Sequence, residues 1–312
     1  MIKILMNFAL NFMFVMSDYI NQCTEVTSMK STEQVLDYFA NKVVPKLEGL
    51  RKGEAGTIGV IGGSEEHTGA PYFAGIAALR AGADLVYVLT TASAAPVVQA
   101  YSPDLIVHPS LSLAAFPAIE RLLRKADVLV IGPGLGRKPE IETLTNKIIR
   151  SCKSLKKPLV IDDDGLYFVS KDLNLIKDYP SPGVILTPNY LEEQMLKDAV
   201  EKSFVPIIGN KTWHSYWGPS VAVLAKGPVD KFYGSVTFEV PGGSGRRPGG
   251  QGDLQAGILA TFFGWAVKAN ACSSIPSMAA SILTRSCNTL AFQVNGRSMT
   301  ASDMVRFIMV KL

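Results

Sequence analysis

The chain has 312 residues, 47% of them hydrophobic, so it can bury a large core in one or two domains. Its formal net charge of +4 is small, and no block of basic residues interleaved with aromatics is present, which argues against a nucleic-acid-binding protein. Its four cysteines show no CxxC or CxxH spacing, which excludes the usual zinc motifs and fits a reducing compartment.

The first 31 residues are interpreted as an extension of the folded domain. Residues 4–16 are mostly apolar after a single Lys3, and this run is too short to span a bilayer, so no membrane partner is expected. Three interpretations stay open: a signal-like segment, an organelle-targeting segment, and a start site misassigned upstream of Met29. We therefore divide the chain into an extension, residues 1–31, and one domain, residues 32–312.

From residue 56 onward, apolar runs alternate with helical segments. The first run, residues 56–64, ends in glycines, and a helix over residues 70–82 follows whose alanines permit close packing. Further strands are predicted at residues 84–90, 128–131, 159–162, 184–187 and 221–224. Because most of these runs are continuously apolar, they are typical of parallel strands buried on both faces. The repeated units predict an α/β fold, with an open, mostly parallel sheet and helices on both faces.

Nearly every predicted strand ends in a turn that is rich in glycine or in polar residues. These turns lie at residues 62–64, 132–137, 162–165, 187–192 and 226–230. In open α/β sheets, ligands bind outside the carboxyl ends of the strands. One glycine turn would be weak evidence, but five such turns at one edge predict a ligand site.

The densest motif covers residues 246–254, where two arginines and three glycines surround Asp253. An apolar run over residues 256–263 follows and predicts a buried helix. Unpaired N–H groups at a helix N-terminus attract anions, and glycine lets the backbone approach a phosphate closely. Asp253 would lie in the first turn, placed to take a proton from a hydroxyl that attacks the phosphate. The alternative is an ordinary glycine turn with Asp253 as the helix N-cap.

In the order of these motifs the chain resembles the ATP-dependent NAD(P)H-hydrate dehydratases of the ribokinase-like superfamily, over about residues 56–304. The most specific matches are residues 246–253, residues 132–137 and residues 297–304, with residues 187–192 in support. Asn189 and the paired arginines resemble the eukaryotic, ATP-using branch. The resemblance implies a ribokinase-like three-layer α/β/α fold. It also implies a repair enzyme, a lyase that uses ATP to dehydrate the S-epimer of hydrated NADH or NADPH, releasing ADP and phosphate.

The resemblance also implies Mg²⁺ as cofactor, ATP as co-substrate, and a role for individual residues. Asp253 would be the general base, and Glu192 would organise magnesium through water, since this cation holds its waters tightly. The ATP-binding residues would be Lys226, Gly227, Pro228, Val229, Asp230, Gly243, Ser244, Gly245, Arg246, Arg247, Pro248, Gly249, Gly250, Gln251 and Gly252. The hydrate-binding residues would be Gly134, Gly136, Asn189, Tyr190, Leu191, Glu192, Glu193, Gln194, Met195 and Asp253. Two simpler interpretations stay open: Lys226 as a strand-end surface lysine, and Glu192 as a first-turn helix acid.

Three features depart from the family's pattern. Asp163 stands where the family commonly has alanine, and it either faces solvent or alters the electrostatics of the site. Glu193 stands in place of an aromatic residue. Residues 210–218, rich in aromatics, are interpreted as an exposed loop or a fault in the gene sequence.

Two other functions stay open: a ribokinase-like kinase of a small alcohol, of the thiazole or pyridoxine type, and a catalytically silent nucleotide-binding relative. A Rossmann dehydrogenase is disfavoured because no GxGxxG motif follows the first strand. The resemblance implies no nucleic-acid partner, leaves homo-oligomerisation open, and implies a separate NAD(P)H-hydrate epimerase working alongside. The location it implies is cytoplasmic, or mitochondrial if residues 1–31 are a targeting segment.

Overall fold

The computed structural model describes residues 32–203 and 212–309, so the predicted extension, residues 1–31, lies outside the described residues. The helices α1 to α10 are, in chain order, Thr32–Lys42, Gly69–Arg80, Ala95–Tyr101, Phe116–Lys125, Pro139–Ser154, Asp164–Lys171, Tyr190–Lys202, Gln251–Lys268, Ser274–Asn295 and Ala301–Val305. The strands β1 to β9 are Thr57–Ile61, Leu85–Leu89, Ile106–His108, Val128–Ile131, Leu159–Ile161, Val184–Leu186, Val221–Ala225, Asp230–Tyr233 and Thr237–Val240.

The nine strands of the described residues form one sheet in the order β3-β2-β1-β4-β5-β6-β7-β8-β9. The strands from β3 to β7 are parallel, and β8 and β9 extend the sheet antiparallel at one edge. The chain runs outward from β1 to β3 and then returns to place β4 on the other side of β1. Such a reversal opens a crevice at the carboxyl ends of β1 and β4, where open α/β sheets bind ligands.

Helices cover both faces of the sheet, because successive strand residues point to opposite sides. Ile58 and Val60 pack with the helices α1, α2, α3, α8, α9 and α10 on one face. Ile61 and Ile131 pack with α4, α5, α6 and α7 on the other. Two helix layers around one mostly parallel sheet confirm the predicted α/β/α architecture.

Each strand that was predicted from an apolar run is present, with bounds that differ by at most three residues. The strands β3, β8 and β9 were not predicted. All three are short. No residue of β3 is fully buried, and the buried residues of β8 and β9 are interrupted by more exposed ones, so no long apolar run marks these strands.

Close packing of α2 was predicted from its alanines and is confirmed. A Cβ added to Gly257 of α8 would lie 2.0 Å from the carbonyl oxygen of Ala74, so the two helices touch through their backbones. The hydroxyl of Thr261 donates to the carbonyl of Ala78 at 3.1 Å. This contact fixes α8, whose N-terminus carries Asp253.

The aromatic stretch before β7 is not an exposed loop where the structure describes it. Residues 213–217 form a 3-10 turn in which Trp217 is fully buried and donates to the carbonyl of Leu173 at 3.1 Å. Residues 210 and 211 lie outside the described residues. The indoles drive this burial, so the exposed-loop expectation is wrong for residues 213–217.

Among residues 32–203 and 212–309, no helix combines the length and apolar character needed to cross a membrane.

Candidate active site

The turns after β1 and β4 touch each other where the strand order reverses. The N–H of Gly63 donates to the carbonyl of Pro133 at 2.8 Å, and a Cβ on Gly62 would lie 2.3 Å from the same oxygen. Gly134 follows with a φ of +63°, and a Cβ there would lie 2.7 Å from the Cβ of His67. Side chains at these glycines would push the turns apart, so glycine is what allows this floor of the crevice to form.

Lys226 follows β7 and reaches across to the end of β5. Its Nζ lies 2.5 Å from Oδ1 of Asp162, and the two side chains are 16% and 2% exposed. Its N–H donates to the carbonyl of Pro188 at 2.7 Å, which joins the turns after β6 and β7. Burial alone lowers the pKa of Lys226, but Asp162 and Glu192 raise it above its ordinary value. Lys226 is therefore a buried cation, and the surface-lysine interpretation is wrong.

Asp253 is the third residue of α8 and lies close to this ion pair. Burial raises the pKa of its carboxyl well above the ordinary value, Asp162 raises it further, and Lys226 opposes the shift. A Cβ on Gly252 would lie 2.9 Å from Nζ of Lys226, so the ammonium contacts the first turn of α8. The N-cap of α8 is Gly250, which excludes the interpretation of Asp253 as an ordinary cap.

The anion loop, residues 243–252, leads into the N-terminus of α8. Gly250 has a φ of +91°, and a Cβ there would lie 2.8 Å from Cδ2 of Phe73 and 3.0 Å from Cβ of Ala301. A Cβ on Gly249 would meet no atom of the described residues within 4 Å. The N–H groups of Gly249 and Gly250 donate to no residue in the described part of the chain. With the positive end of the α8 dipole, these groups form a surface suited to an anion.

Arg285 of α9, which no predicted motif included, joins Gly242, directly before the anion loop, to the turn at residues 227–230. Its guanidinium pairs with Asp230 at 2.5 Å and donates to the carbonyls of Gly227, Pro228 and Gly242 at 2.8, 2.9 and 2.5 Å. Arg285 is the only charged residue of α9. A lone arginine in an otherwise uncharged helix is a signal for a buried pair, since arginine is seldom buried without a partner.

Asn288 lies one turn further along α9 and fastens the other part of the loop. Its Oδ1 accepts from the N–H of Ser244 at 2.6 Å, and its Nδ2 donates to the carbonyl of Arg246 at 2.7 Å and to Oε1 of Gln251 at 2.9 Å. The Arg246 guanidinium donates to the carbonyl of Met299 at 3.3 Å. The segment at residues 297–304 therefore supports the loop rather than contributing chemistry of its own.

Asp230 lies beneath the loop, and its side chain is 6% exposed. Its Oδ1 accepts from the N–H of Gly227 at 3.2 Å, and its Oδ2 accepts from Gln255 at 2.9 Å, in addition to the pair with Arg285. Both oxygens are occupied within the protein. The structure therefore does not bring this carboxylate to the ligand surface. The carboxylate instead fixes the shape of the turn that follows Lys226.

Asn189 and Glu192 form a capping box at the start of α7. Oδ1 of Asn189 accepts from the N–H of Glu192 at 3.1 Å, and Oε2 of Glu192 accepts from the N–H of Asn189 at 2.8 Å. Burial raises the pKa of Glu192 to about 7, Lys226 opposes the shift, and Asp162 adds to it. Glu192 is thus both a first-turn helix acid and a member of the charged cluster.

The remaining residues of the predicted hydrate-binding segment spread around α7. Tyr190 and Leu191 are 68% and 75% exposed at its N-terminus. Oε1 of Glu193 lies 3.7 Å from Nε2 of His214, and Met195 packs against the core below the sheet. Helical geometry turns successive side chains by about 100°, so the structure brings Glu192 to the charged cluster and not Glu193 or Met195.

Residues 162–164 extend three carboxylates toward three different partners. Oδ2 of Asp163 accepts from the N–H of Gly134 at 2.8 Å, and Oδ2 of Asp164 accepts from the N–H of Gly136 at 2.8 Å. Oδ1 of Asp164 also accepts from Nε of Arg137 at 2.7 Å. The Asp163 side chain is therefore engaged with the site, and the alternative of a solvent-facing carboxylate is wrong.

The donors present fit a water-held magnesium ion. No group of three or more histidine, cysteine or carboxylate side chains in the described residues is arranged to hold a metal directly. Mg²⁺ keeps several waters and binds through one or two carboxylates together with phosphates. Glu192, which lies in the charged cluster with Lys226 and Asp162, is a carboxylate of this kind.

Comparison with known proteins agrees with this geometry. The family model for NAD(P)H-hydrate dehydratase matches residues 58–309. The ATP-dependent (S)-NAD(P)H-hydrate dehydratase of Aedes aegypti is 47% identical over 296 residues, which cover 91% of this chain and 86% of that protein.

Two crystal structures share the fold. A ribokinase-like superfamily protein from Enterococcus faecalis superposes with a TM-score of 0.71 at 21% identity, covering 89% of this chain and 93% of that one. The ADP/ATP-dependent NAD(P)H-hydrate dehydratase from Bacillus subtilis, co-crystallised with ATP and Mg²⁺, superposes with a TM-score of 0.66 at 17% identity, covering 89% and 95%. The ribokinase-like architecture expected from the sequence is confirmed.

Proposed function

The chain belongs to the NAD(P)H-hydrate dehydratase family, and on that premise we propose how its residues carry out the reaction. The enzyme is an ATP-dependent lyase that dehydrates the S-epimer of hydrated NADH or NADPH, restoring NADH or NADPH and releasing ADP and phosphate. The observation that carries the assignment of residues is Asp253, whose carboxyl lies in the first turn of α8 beside the Lys226–Asp162 ion pair and the anion loop.

Asp253 serves as the general base of the first step. Hydroxide is a poor leaving group, so the hydroxyl of the hydrate is first converted to a phosphate ester. Asp253 takes the hydroxyl proton while the oxygen bonds to the γ-phosphorus of ATP, and the bond to ADP breaks. The raised pKa of Asp253 makes its ionised carboxylate a stronger base than an exposed aspartate.

The second step needs positioning rather than a new catalytic group. The lone pair of the ring nitrogen expels the phosphate, which leaves with both electrons of the C–O bond. The departing phosphate then accepts a proton from the neighbouring carbon, and this restores the double bond. The N–H groups of the anion loop and the ammonium of Lys226 stabilise the phosphate charge in both steps. Glu192 would hold Mg²⁺ through water, and the bound ion would supply positive charge to the phosphates of ATP.

The binding roles follow from placement. ATP lies along residues 226–230 and 243–252, with Asp230 acting through the shape of the turn rather than by contact. The hydrated dinucleotide lies against Gly134 and Gly136 and the N-terminal residues of α7, from Asn189 to Glu192.

The partners and location extend beyond the site itself. Because the S-epimer is the substrate, the R-epimer requires a separate NAD(P)H-hydrate epimerase, which we propose works alongside this enzyme. The location proposed is cytoplasmic, with mitochondrial import if residues 1–31 are a targeting segment. Homo-oligomerisation stays a prediction, to be measured by light scattering.

The test is a direct assay. Purified protein is incubated with hydrated NADPH, Mg²⁺ and ATP, and absorbance of the dihydronicotinamide band is followed. We expect an ATP-dependent rise, and in Asp253→Asn a turnover number about 1,000-fold lower, with ATP affinity within about twofold of wild type. ADP formation with a stable phosphate ester and no absorbance rise would identify a small-alcohol kinase. ATP binding without either product would identify a silent relative.

A further inference from the structure

Asp163 is held in a backbone conformation that aspartate rarely adopts. Its φ is +45° and its ψ is −121°, a region that glycine enters without strain. It precedes α6, yet its side chain makes no capping hydrogen bond to that helix. The helix therefore does not explain the conformation. The carboxyl is instead directed toward the turn after β4.

The carboxylate of Asp163 sits where an anionic ligand would bind. Its Oδ2 accepts from the N–H of Gly134 at 2.8 Å, and Gly134 lies at the reversal of the strand order. The neighbouring N–H, of Gly136, is held by Asp164, which is paired with Arg137. Asp163 has no salt bridge to any residue that the structure describes. Its charge therefore lies on the turn without a dedicated counter-charge.

The surroundings of Asp163 disfavour its charge. Burial raises the pKa of its carboxyl, and the adjacent Asp164 and Asp162 raise it further, while the N–H of Gly134 and the charge of Lys226 only partly oppose the shift. A phosphate that approached the Gly134 N–H would meet this carboxylate, and the two anions would compete for one donor.

We propose that Asp163 is a specificity-determining residue that competes with a phosphate of the bound dinucleotide for the Gly134 N–H. The inference rests on the proposed function, because it takes the pyrophosphate-bridged dinucleotide as the ligand of this turn. The hydrated substrate and the product share that pyrophosphate. Strong binding of this shared pyrophosphate would stabilise the product complex as much as the substrate complex, and it would not accelerate the reaction. By competing for the Gly134 N–H, Asp163 weakens binding of the pyrophosphate and so limits inhibition by NADH.

The test measures binding of NADH by its fluorescence, in wild type and in three variants. Asp163→Gly removes the carboxylate at a position whose backbone suits glycine, so the fold is retained. We expect the dissociation constant of NADH to fall about tenfold, as for a regained hydrogen bond to a charged group. Asp163→Asn keeps an acceptor for the Gly134 N–H and should lower it by less than about threefold, since only the charge is lost.

Asp178→Gly is the matched control. Asp178 is an exposed aspartate with a φ of +52°, so this change also places glycine at a left-handed aspartate, and NADH affinity should stay within about 1.5-fold of wild type. Unchanged or weaker NADH binding in Asp163→Gly would show that the carboxylate only supports the turn, and would overturn the inference alone. Absence of NADH binding by the wild type and by all three variants would overturn the proposed function and this inference together.

Discussion

The candidate site is flanked by two glycine-rich segments that treat their backbone N–H groups in opposite ways. In the anion loop, the N–H groups of Gly249 and Gly250 donate to none of the described residues, and Arg285 holds Gly242, directly before the loop, against the turn after β7. In the turn after β4, the N–H groups of Gly134 and Gly136 already donate to carboxylates of the chain itself.

This contrast shows that a glycine-rich sequence predicts a backbone that other groups can approach closely. It does not predict whether the acceptor that approaches is a ligand or a carboxylate of the protein itself. Glycine allows a tight backbone in both segments. The acceptors nearby decide whether the N–H groups are left for a ligand or are used within the protein. Asn288 holds the anion loop through the N–H of Ser244, the carbonyl of Arg246 and the side chain of Gln251, which leaves the N–H groups of Gly249 and Gly250 suited to a phosphate.

The largest effect that would test this comparison is loss of the support behind the anion loop. In Arg285→Met the Asp230 carboxylate stays buried without its cation, so we expect the free energy of unfolding to fall by about 3–5 kcal/mol, measured by urea denaturation. Arg285→Lys is the control, because it keeps the charge but cannot reach three carbonyls. Its free energy of unfolding should lie between those of the wild type and Arg285→Met. A loss below about 1 kcal/mol in Arg285→Met would show that the loop holds its shape unaided.

A smaller effect separates two neighbouring glycines of the anion loop. In Gly250→Ala the new Cβ would lie 2.8 Å from the ring of Phe73 at a φ of +91°, so we expect about 2 kcal/mol of destabilisation and weaker ATP binding. In Gly249→Ala the Cβ meets open space, and stability should change by less than about 0.5 kcal/mol. Equal losses in the two variants, by thermal or urea denaturation, would contradict the difference in packing between the two positions.

A third effect is a pH dependence that reports the crowding of carboxylates around Lys226, where Glu192 lies near Asp162 and Asp163. The pKa of Glu192 is raised from 4.5 to about 7 by burial, so between these values the folded state holds a proton that the unfolded state lacks. The free energy of unfolding should therefore fall as pH rises from about 4.5 to 7. Glu192→Gln should flatten this slope. If Glu192→Gln keeps a slope of the same size, the pH dependence of stability arises from Asp163 and Asp253, whose pKa values are also raised.

The features that depend on local pattern could be predicted from the sequence. The buried parallel strands appear as continuous apolar runs, and Asp253 stands directly after a glycine motif at a helix start, so the chain alone indicates both. The antiparallel strands β8 and β9 could not be predicted, because exposed or partly exposed residues separate their buried ones. The partners of Arg285 and Asp163 also could not, because tertiary contacts between distant segments choose them. The assignment of Glu193 and Met195 to the site followed the segment as a whole, whereas a helix presents only some of its residues to one side.

The Arg285–Asp230 pair also bears on how the protein folds. The two residues are 55 positions apart, and the segment between them carries the whole anion loop and the helix with Asp253. Closing a loop of this length costs chain entropy before the contact can repay it, so the pairing belongs among the late, non-local events of folding. The nucleotide pocket should therefore mature only after α9 docks on the sheet. During refolding, recovery of ATP binding is expected to lag behind recovery of helical circular dichroism.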